Sequence, residues 1–372
     1  MPATKPRVLI AMSGGVDSSV AAALLVREGY DCVGVTMKLF EDGAELPDRP
    51  CCSLDSTSDA RRVAERLGIP HYVLNMVDHF GRDVIADFVA EYARGRTPIP
   101  CVRCNTFTKF SDLVKKADAI DAVFVATGHY ARTDGGRLLR GADAGKDQTY
   151  FLWGIDRGVI PRLLLPVGGI TKDETRRIAR ELELPRVADK QESQEICFVP
   201  DGDYLSVLRR ELPPDAPAIS PGPFVLADGT TVGEHEGFAR FTIGQRRAVP
   251  GGFAAPMFVV AIRPDDRAVV LGPREALLGR GLVATGTNWL SDTPRIGDRL
   301  GVRVRHRAPI APAEVIRIGD SEIEVALDAP VAAIAPGQSA VFYDGDVVVG
   351  GGFIASARPA ERSMRRLPVL SA

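Results

Sequence analysis

The chain begins with two alternating periods. Residues 7–12, RVLIAM, form an apolar run of strand length headed by Arg7. After a Gly-rich turn, DSSVAAALLVREG puts Val20, Ala23, Leu24 and Val26 on one side of a predicted helix, with Gly29 as its stop. DCVGVTMKLF predicts a second strand. SDARRVAERLGIP predicts a second helix, with Ala60, Val63, Ala64 and Leu67 at helical spacing, and HYVLNM predicts a third strand. ADAIDAVFVATGHY closes a further helix and enters another strand. Strand alternating with helix predicts an α/β parallel sheet whose ligand loops sit at the strand C-termini.

After Asp203 the pattern changes. ELPPDAPAISPGPF is Pro-rich and reads as a linker or turn cluster. Short Val-rich runs follow, separated by Gly, Pro and Asp: FVVAIRP, RAVVLGP, RLGVRVRHRAP, AEVIRIGD, SEIEVALDAP and SAVFYDGDVVVGGGFI. They predict an all-β region of one or two small barrels. The final ARPAERSMRRLPVLSA reads as a loose tail. The expected organisation is an N-terminal parallel-sheet domain over 1–203, a small central β-rich domain over 204–277 and a C-terminal β-barrel over 278–372.

A length of 372 residues agrees with two or three domains. The net charge of −2 gives no global basic field, so any nucleic acid must be met by a local patch. The N-terminal MPATKPRVLIAMSGG lacks the pattern of a signal peptide. No apolar run approaches the ~20 residues needed to span a bilayer. A cytoplasmic location without membrane contact is expected, where thiols stay reduced and tend toward catalysis or metal binding. The six cysteines, Cys32, Cys51, Cys52, Cys101, Cys104 and Cys197, all precede residue 200, which puts the chemistry in the N-terminal half.

Ser13-Gly14-Gly15-Val16-Asp17-Ser18 lies between a predicted strand and a predicted helix. Paired glycines let successive N–H groups face an anion, and the helix N-terminus adds its dipole. Ser18 and Ser19 can donate to phosphate oxygens, and Asp17 can hold Mg²⁺ or cap the helix. Gly-Gly and Asp-Ser are also ordinary turn residues. The strand–SGGVDSS–helix context is what points to phosphate. The segment lacks the lysine of the Gly-Lys-Ser/Thr loop and the glycine spacing of a dinucleotide fingerprint. It resembles the pyrophosphate loop of the N-type ATP-pyrophosphatases, which cleave ATP to AMP and pyrophosphate.

PIPCVRCN around Cys101 and Cys104, and SQEICF around Cys197, are the other two chemical islands. Sulfur transfer needs one thiol to carry the sulfur as a persulfide and gains from a second that releases it by forming a disulfide. Arg103 and Lys109 can favour the thiolate. Cys32 reads as a small buried hydrophobe, and Cys51 and Cys52 as structural or incidental. Cys101 and Cys104 also form a CxxC that can bind zinc or an iron–sulfur cluster if Cys51, Cys52 or Cys197 completes the site. His129 reads as a hydrogen-bonded strand-end residue, and His71 and His79 as structural. Tyr150, Phe151 and Trp153 read as core, while Lys146 and Gln148 beside them suit RNA contact. Arg303, Arg305 and Arg307 alternate along a predicted strand and share one face, which with His306 suits a phosphate groove or a plain solvated surface.

Across AMSGGVDSS, CCSLDSTSDARRVAERLGIPHYVLN, TPIPCVRCNTFTKF, ATGHYAR, KDQTYFLW, SQEICFVPDGDY, FTIGQRR and VRVRHRAPI, the chain resembles the bacterial tRNA-specific 2-thiouridylases, and nearly its whole length is covered. The resemblance implies ATP-dependent sulfur transfer to C2 of the wobble uridine of tRNA, through uridine adenylation and a cysteine persulfide. It implies Cys104 as nucleophile and Cys197 as persulfide carrier, the two forming a disulfide in turnover. It implies an ATP site at Ala11, Met12, Ser13, Gly14, Gly15, Val16, Asp17, Ser18, Met37 and Gly128, with Mg²⁺ beside the nucleotide. It implies tRNA contact at Lys146, Asp147, Gln148, Arg305 and His306. The implied partners are tRNAs for Lys, Glu and Gln and a sulfur donor such as a cysteine desulfurase or a relay protein. Two departures stand out. Ile99 and Cys101 occupy positions where the family often carries Asn and Asp, and Arg305-His306 replaces an arginine–tyrosine pair. A disulfide needs Cα atoms within about 7 Å, so a loop rearrangement on RNA binding is expected. The competing readings are an iron–sulfur-dependent thiolase, a pyrophosphatase-loop ligase forming an amide or amidine, and a non-catalytic RNA-binding protein.

Overall fold

The structure, a computed structural model, describes residues 5–40, 54–184, 187–188, 196–199 and 202–359. Cys51, Cys52, Ser193, Gln194 and Glu195 lie outside the described residues.

The N-terminal domain runs β1 (Lys5–Ala11), α1 (Val16–Arg27), β2 (Tyr30–Lys38), α2 (Leu54–Leu67), β3 (His71–Asn75), α3 (Val77–Phe80), α4 (Ala86–Ala93), α5 (Pro100–Arg103), α6 (Asp112–Asp118) and β4 (Phe124–Ala126). A hairpin of β5 (Ala131–Asp134) and β6 (Arg137–Arg140) follows, then β7 (Leu163–Leu164), α7 (Lys172–Glu181) and α8 (Tyr204–Glu211). The strands pair in parallel in the order β3-β2-β1-β4-β7. The order reverses between β1 and β4, and a ligand crevice opens at such a switch point, outside the carboxyl ends of the strands.

Strand β1 is apolar on both faces because both are covered. Leu9 packs with Val33, Val35 and the α3–α6 side, while Val8 and Ile10 pack with α1, α2 and α7. Helix α1 is buried around more of its circumference than the predicted stripe. Val20 through Ala23 and Leu25 are buried, while Leu24 and Val26 are only partly so. Its alanines let α2 and α7 approach as well as the sheet. The Pro-rich segment is preceded by α8, which the linker reading missed. Asp203 caps it, accepting from the Leu205 N–H at 3.1 Å, and Tyr204 stacks on Tyr92 at 4.8 Å.

The central sheet comprises β8 (Gly222–Leu226), β9 (Thr231–His235), β10 (Phe258–Arg263) and β11 (Ala268–Gly272), in the order β10-β11-β8-β9. The C-terminal unit comprises β12 (Leu278–Trp289), β13 (Arg299–Arg303), β14 (Ala311–Ile318), β15 (Glu322–Ala332), β16 (Ser339–Asp344) and β17 (Val347–Pro359). Its order β12-β15-β14-β13-β16-β17 closes through β12–β17 pairing, so it is a barrel. The predicted tail contributes residues 357–359 to β17.

The barrel is fastened to the N-terminal domain. Strand β6 pairs with β17 at Leu139 and Val347. Tyr150 Oη donates to the Ser339 carbonyl at 3.0 Å, and Trp153 Nε1 to Ser339 Oγ at 2.9 Å. A Cβ at Gly351 would sit 2.6 Å from the Trp153 ring, which is why this stretch of β17 is glycine. Tyr150 and Trp153 are thus core residues, as the sequence suggests. Strand β13 stops at Arg303, and Arg305, His306 and Arg307 lie in the turn beyond it. The expected shared face does not form: Arg303 points into the molecule, while Arg305 and Arg307 are exposed.

Candidate active site

The phosphate-loop segment connects β1 to α1 at the switch point. Gly14 adopts φ +70°, and a Cβ there would lie 2.0 Å from the Ser56 carbonyl oxygen, so only glycine makes this turn. The loop is locked by its own helix. Ser18 Oγ accepts from the Ser13 N–H at 3.1 Å and donates to the Gly15 carbonyl at 3.1 Å. Ser19 Oγ donates to the same carbonyl at 2.8 Å and is fully buried. Ser19 therefore shapes the loop from inside, and anion contact falls to backbone N–H groups and the α1 N-terminus. The β4 loop closes against it. A Cβ on Gly128 would lie 2.5 Å from Ser18 N and 2.6 Å from the Asp17 carbonyl carbon.

Asp17 neither caps α1 nor fits a divalent cation. The cap position is Gly15, with no side-chain cap. The Asp17 carboxylate is held by Lys172 Nζ at 2.7 and 2.8 Å and by Tyr130 Oη at 2.8 Å. Burial and the Asp17 charge push the Tyr130 hydroxyl pKa upward, so it stays a donor. Lys172 is 9% exposed and Asp17 33%. Sequence reasoning missed Lys172 because a lysine opening an amphipathic helix reads as solvated; α7 begins with a complete Thr171–Glu174 capping box that turns it inward.

Beside the loop lies a cavity of about 300 Å³. Ala11, Met12, Ser13, Asp17, Ser18 and Gly128 line it, with Thr36 and Met37 from β2. Cys101, Cys104, Lys109, Cys197 and Phe198 line the same cavity. Cys104 is buried, Cys197 partly buried and Cys101 exposed. Cys104 opens a π-helical segment, Cys104–Ser111, between α5 and α6. Such segments often mark functional sites. Burial, reinforced by Lys109 from this segment, holds His129 neutral. The His129 pKa is pushed down to about 3, first by burial and then by the Lys109 charge. Its Nδ1 pairs with Thr127 Oγ1 at 2.8 Å, the satisfied hydrogen bond expected of it. A cation in a half-buried cavity favours thiolate. Arg103 does not share this role. Its Nε donates to the Asp83 carbonyl at 3.2 Å, its guanidinium covers Phe107 at 4.7 Å, and it is not part of the cavity lining.

His71 pairs with Thr36 Oγ1 at 2.9 Å and His79 with Asp112 at 2.9 Å, both structural contacts. Cys32 is buried in β2, and burial lifts its pKa to about 11, so it is inert. Among the described residues no three His, Cys, Asp or Glu side chains converge as a metal-ligand set, although three cysteines line one cavity.

Of the expected RNA contacts, Gln148 lines the cavity and accepts from the Tyr130 N–H at 2.9 Å. Lys146 is partly buried. The Asp147 side chain departs from expectation. Its carboxylate is buried, accepts from Gly141 and Thr149, and pairs with Arg303 at 2.8 Å, so it faces the protein instead of an RNA. Arg305 is exposed, and His306 packs on Phe151 at 4.5 Å. Burial lowers the His306 pKa, so its contacts are those of a neutral ring.

Three family models match in succession: a tRNA methyl transferase HUP domain over 6–201, a tRNA methyl transferase PRC-barrel domain over 214–273, and an aminomethyltransferase β-barrel domain over 279–354. A tRNA-specific 2-thiouridylase MnmA of Rhodospirillum rubrum is 46% identical, covering 96% of this chain and 98% of its own. One from Carboxydothermus hydrogenoformans is 45% identical, covering 94% and 98%. Among solved structures, a 4-thiouridine synthetase–RNA complex with bound ATP shares 20% identity over 57% of this chain and 51% of its own at a TM-score of 0.34.

Proposed function

This chain belongs to the tRNA-specific 2-thiouridylase family, and from that premise we propose that it uses ATP to replace O2 of a tRNA wobble uridine by sulfur. The observation carrying this reading is that the phosphate loop and the thiols Cys104 and Cys197 line one cavity. The family models are described by methyl transfer. A cavity with a pyrophosphate-type loop and paired thiols favours sulfur transfer instead, because methyl transfer calls for neither.

The uridine O2 is a poor leaving group. Attack by O2 on the α-phosphorus of ATP releases pyrophosphate and makes that oxygen part of AMP. The loop N–H groups and the α1 N-terminus stabilise the departing phosphates. The terminal sulfur of a Cys197 persulfide then attacks C2, and AMP leaves with the electron pair of the C2–O bond. The Cys104 thiolate attacks Cys197 Sγ, which breaks the sulfur–sulfur bond, forms the Cys104–Cys197 disulfide and releases 2-thiouridine. Lys109 supports that thiolate. A dithiol reductant resets the pair. Asp17 is already balanced by Lys172, so no step is assigned to protein-bound Mg²⁺, which is supplied with ATP. A wobble base suits this cavity because single-stranded loop bases leave the stack at low cost. The finer reading is that tRNAs for Lys, Glu and Gln are served, in the cytoplasm, and that a cysteine desulfurase or relay protein charges Cys197. Among the described residues no helix is long and apolar enough to cross a membrane.

The test is incubation with unmodified tRNA, ATP, Mg²⁺ and a persulfide source. AMP and 2-thiouridine in equal amounts support the proposal. AMP without a thiolated base supports a ligase of the same loop class. Thiolation that requires a chelatable chromophore in anaerobically purified protein supports an iron–sulfur mechanism.

A further inference from the structure

The expected RNA-contact groups, 146–148 in the N-terminal domain and 305–306 in the barrel, are joined inside the protein by a buried ion pair. Asp147 Oδ2 meets Arg303 Nη1 at 2.8 Å across 156 residues of sequence, with the two side chains 1% and 8% exposed. Arg140 flanks the same oxygen at 3.8 Å. The other Asp147 oxygen accepts from Gly141 N, Thr149 N and Thr149 Oγ1. Thr149 Oγ1 in turn meets Tyr343 Oη at 3.2 Å, and the Arg303 guanidinium covers the Tyr343 ring at 5.3 Å.

The contacts continue inward. Residue 148 adjoins the pair, and Gln148 Oε1 holds the Tyr130 N–H at 2.9 Å while lining the cavity. Tyr130 Oη holds Asp17 of the phosphate loop at 2.8 Å. A continuous set of contacts therefore runs from the barrel turn at residues 304–307 to Asp17 of the phosphate loop, which lines the cavity.

Resting on the function proposed above, we infer that Asp147 and Arg303 are positioning residues that hold the RNA-contact turn of the barrel in register with the catalytic cavity. Asp147 does not bind RNA through its carboxylate, which is spent on Arg303. Arg303 does not join a phosphate groove with Arg305 and Arg307, because it lies beneath that surface. Its function is to fix where an RNA held by the turn presents its base. A bidentate-capable, permanently charged guanidinium suits a buried register contact between domains.

The test is a double-mutant cycle read in single-turnover thiolation of full-length tRNA. Asp147→Asn keeps the acceptor for Thr149 and removes the charge facing Arg303. The inference predicts a loss of roughly tenfold in the thiolation rate at saturating tRNA, within the range for residues of one network, with tRNA Kd changed less than about twofold. It further predicts that Arg305→Ala lowers that rate in the wild type but by a smaller factor in the Asp147→Asn background. Arg303→Lys is read the same way and covers the case in which Asp147→Asn does not fold. Asp147→Asn raising tRNA Kd about tenfold with the saturating rate unchanged would make Asp147 an RNA ligand and overturn the inference. Independent, multiplying penalties would also overturn it. A wild type that makes no 2-thiouridine would instead sink the underlying function.

Discussion

Replacing Lys172 by Met removes the buried ammonium that balances Asp17. Breaking a buried ion pair by deleting one partner costs about 3–5 kcal/mol, because the survivor is left uncompensated. Asp17 is 33% exposed, so water recovers part of its solvation, and Tyr130 still donates to it. That reduces the expected loss to about 1.5–3 kcal/mol. Met fills most of the lysine stem, so packing contributes little. Equilibrium denaturation of Lys172→Met, Asp17→Asn and the double variant measures this. The double variant should be more stable than the sum of the singles implies, by about 1–2 kcal/mol. ATP binding gives a second readout. With Lys172 gone, the Asp17 carboxylate faces an incoming triphosphate without its counter-charge, and ATP Kd should rise about tenfold, equivalent to roughly 1.4 kcal/mol. A Lys172→Met cost under about 0.5 kcal/mol, or strictly additive costs across the cycle, would refute the claim that Lys172 holds the Asp17 carboxylate as its buried counter-charge.

Gly128→Ala places a Cβ 2.5 Å from Ser18 N, so it should displace the phosphate loop, cost about 1–3 kcal/mol by overpacking and weaken ATP binding measured by calorimetry. Cys197→Ser should abolish thiolation from a persulfide donor, and Cys104→Ser should stall the reaction with the tRNA joined to Cys197 through the transferred sulfur, read as a protein–tRNA adduct that a thiol reductant cleaves. The folded protein keeps His129 neutral down to about pH 3, whereas the unfolded chain binds its proton below about 6.5. Its contribution is full above that value and is lost as pH falls from about 6.5 toward 3. His129→Asn should therefore lose less stability between pH 7 and pH 5 than the wild type, measured by denaturant midpoints.

The sheet was legible because β1, β2 and β3 and helices α1 and α2 carry clear periodicities, and SGGVDSS names its own turn. Cys104 and Cys197 stood out as candidate chemistry because they are thiols in distant segments, and the structure brings both into the lining of one cavity. The rest was hidden by burial against sequence expectation. Lys172 and Arg303 are cations that sequence places on solvated faces, and only tertiary partners far along the chain, Asp17 and Asp147, turn them inward. Asp147, which the resemblance implies as a tRNA contact, has its carboxylate turned inward by the same pairing. The Arg303–Arg307 alternation failed because β13 ends at Arg303, where the chain enters a turn that no residue spacing announces. Helix α8 was overlooked beside its Pro-rich successor, although Asp203 supplied a cap signal.

A single turnover with persulfide-loaded protein, unmodified tRNA and ATP tests the two-thiol cavity most directly, with AMP, 2-thiouridine and the Cys104–Cys197 disulfide counted in the same quenched sample. Equal yields of all three, each lost in Cys197→Ser, are expected. Thiouridine formed without that disulfide, or made equally well by Cys197→Ser from a persulfide donor, would contradict the mechanism.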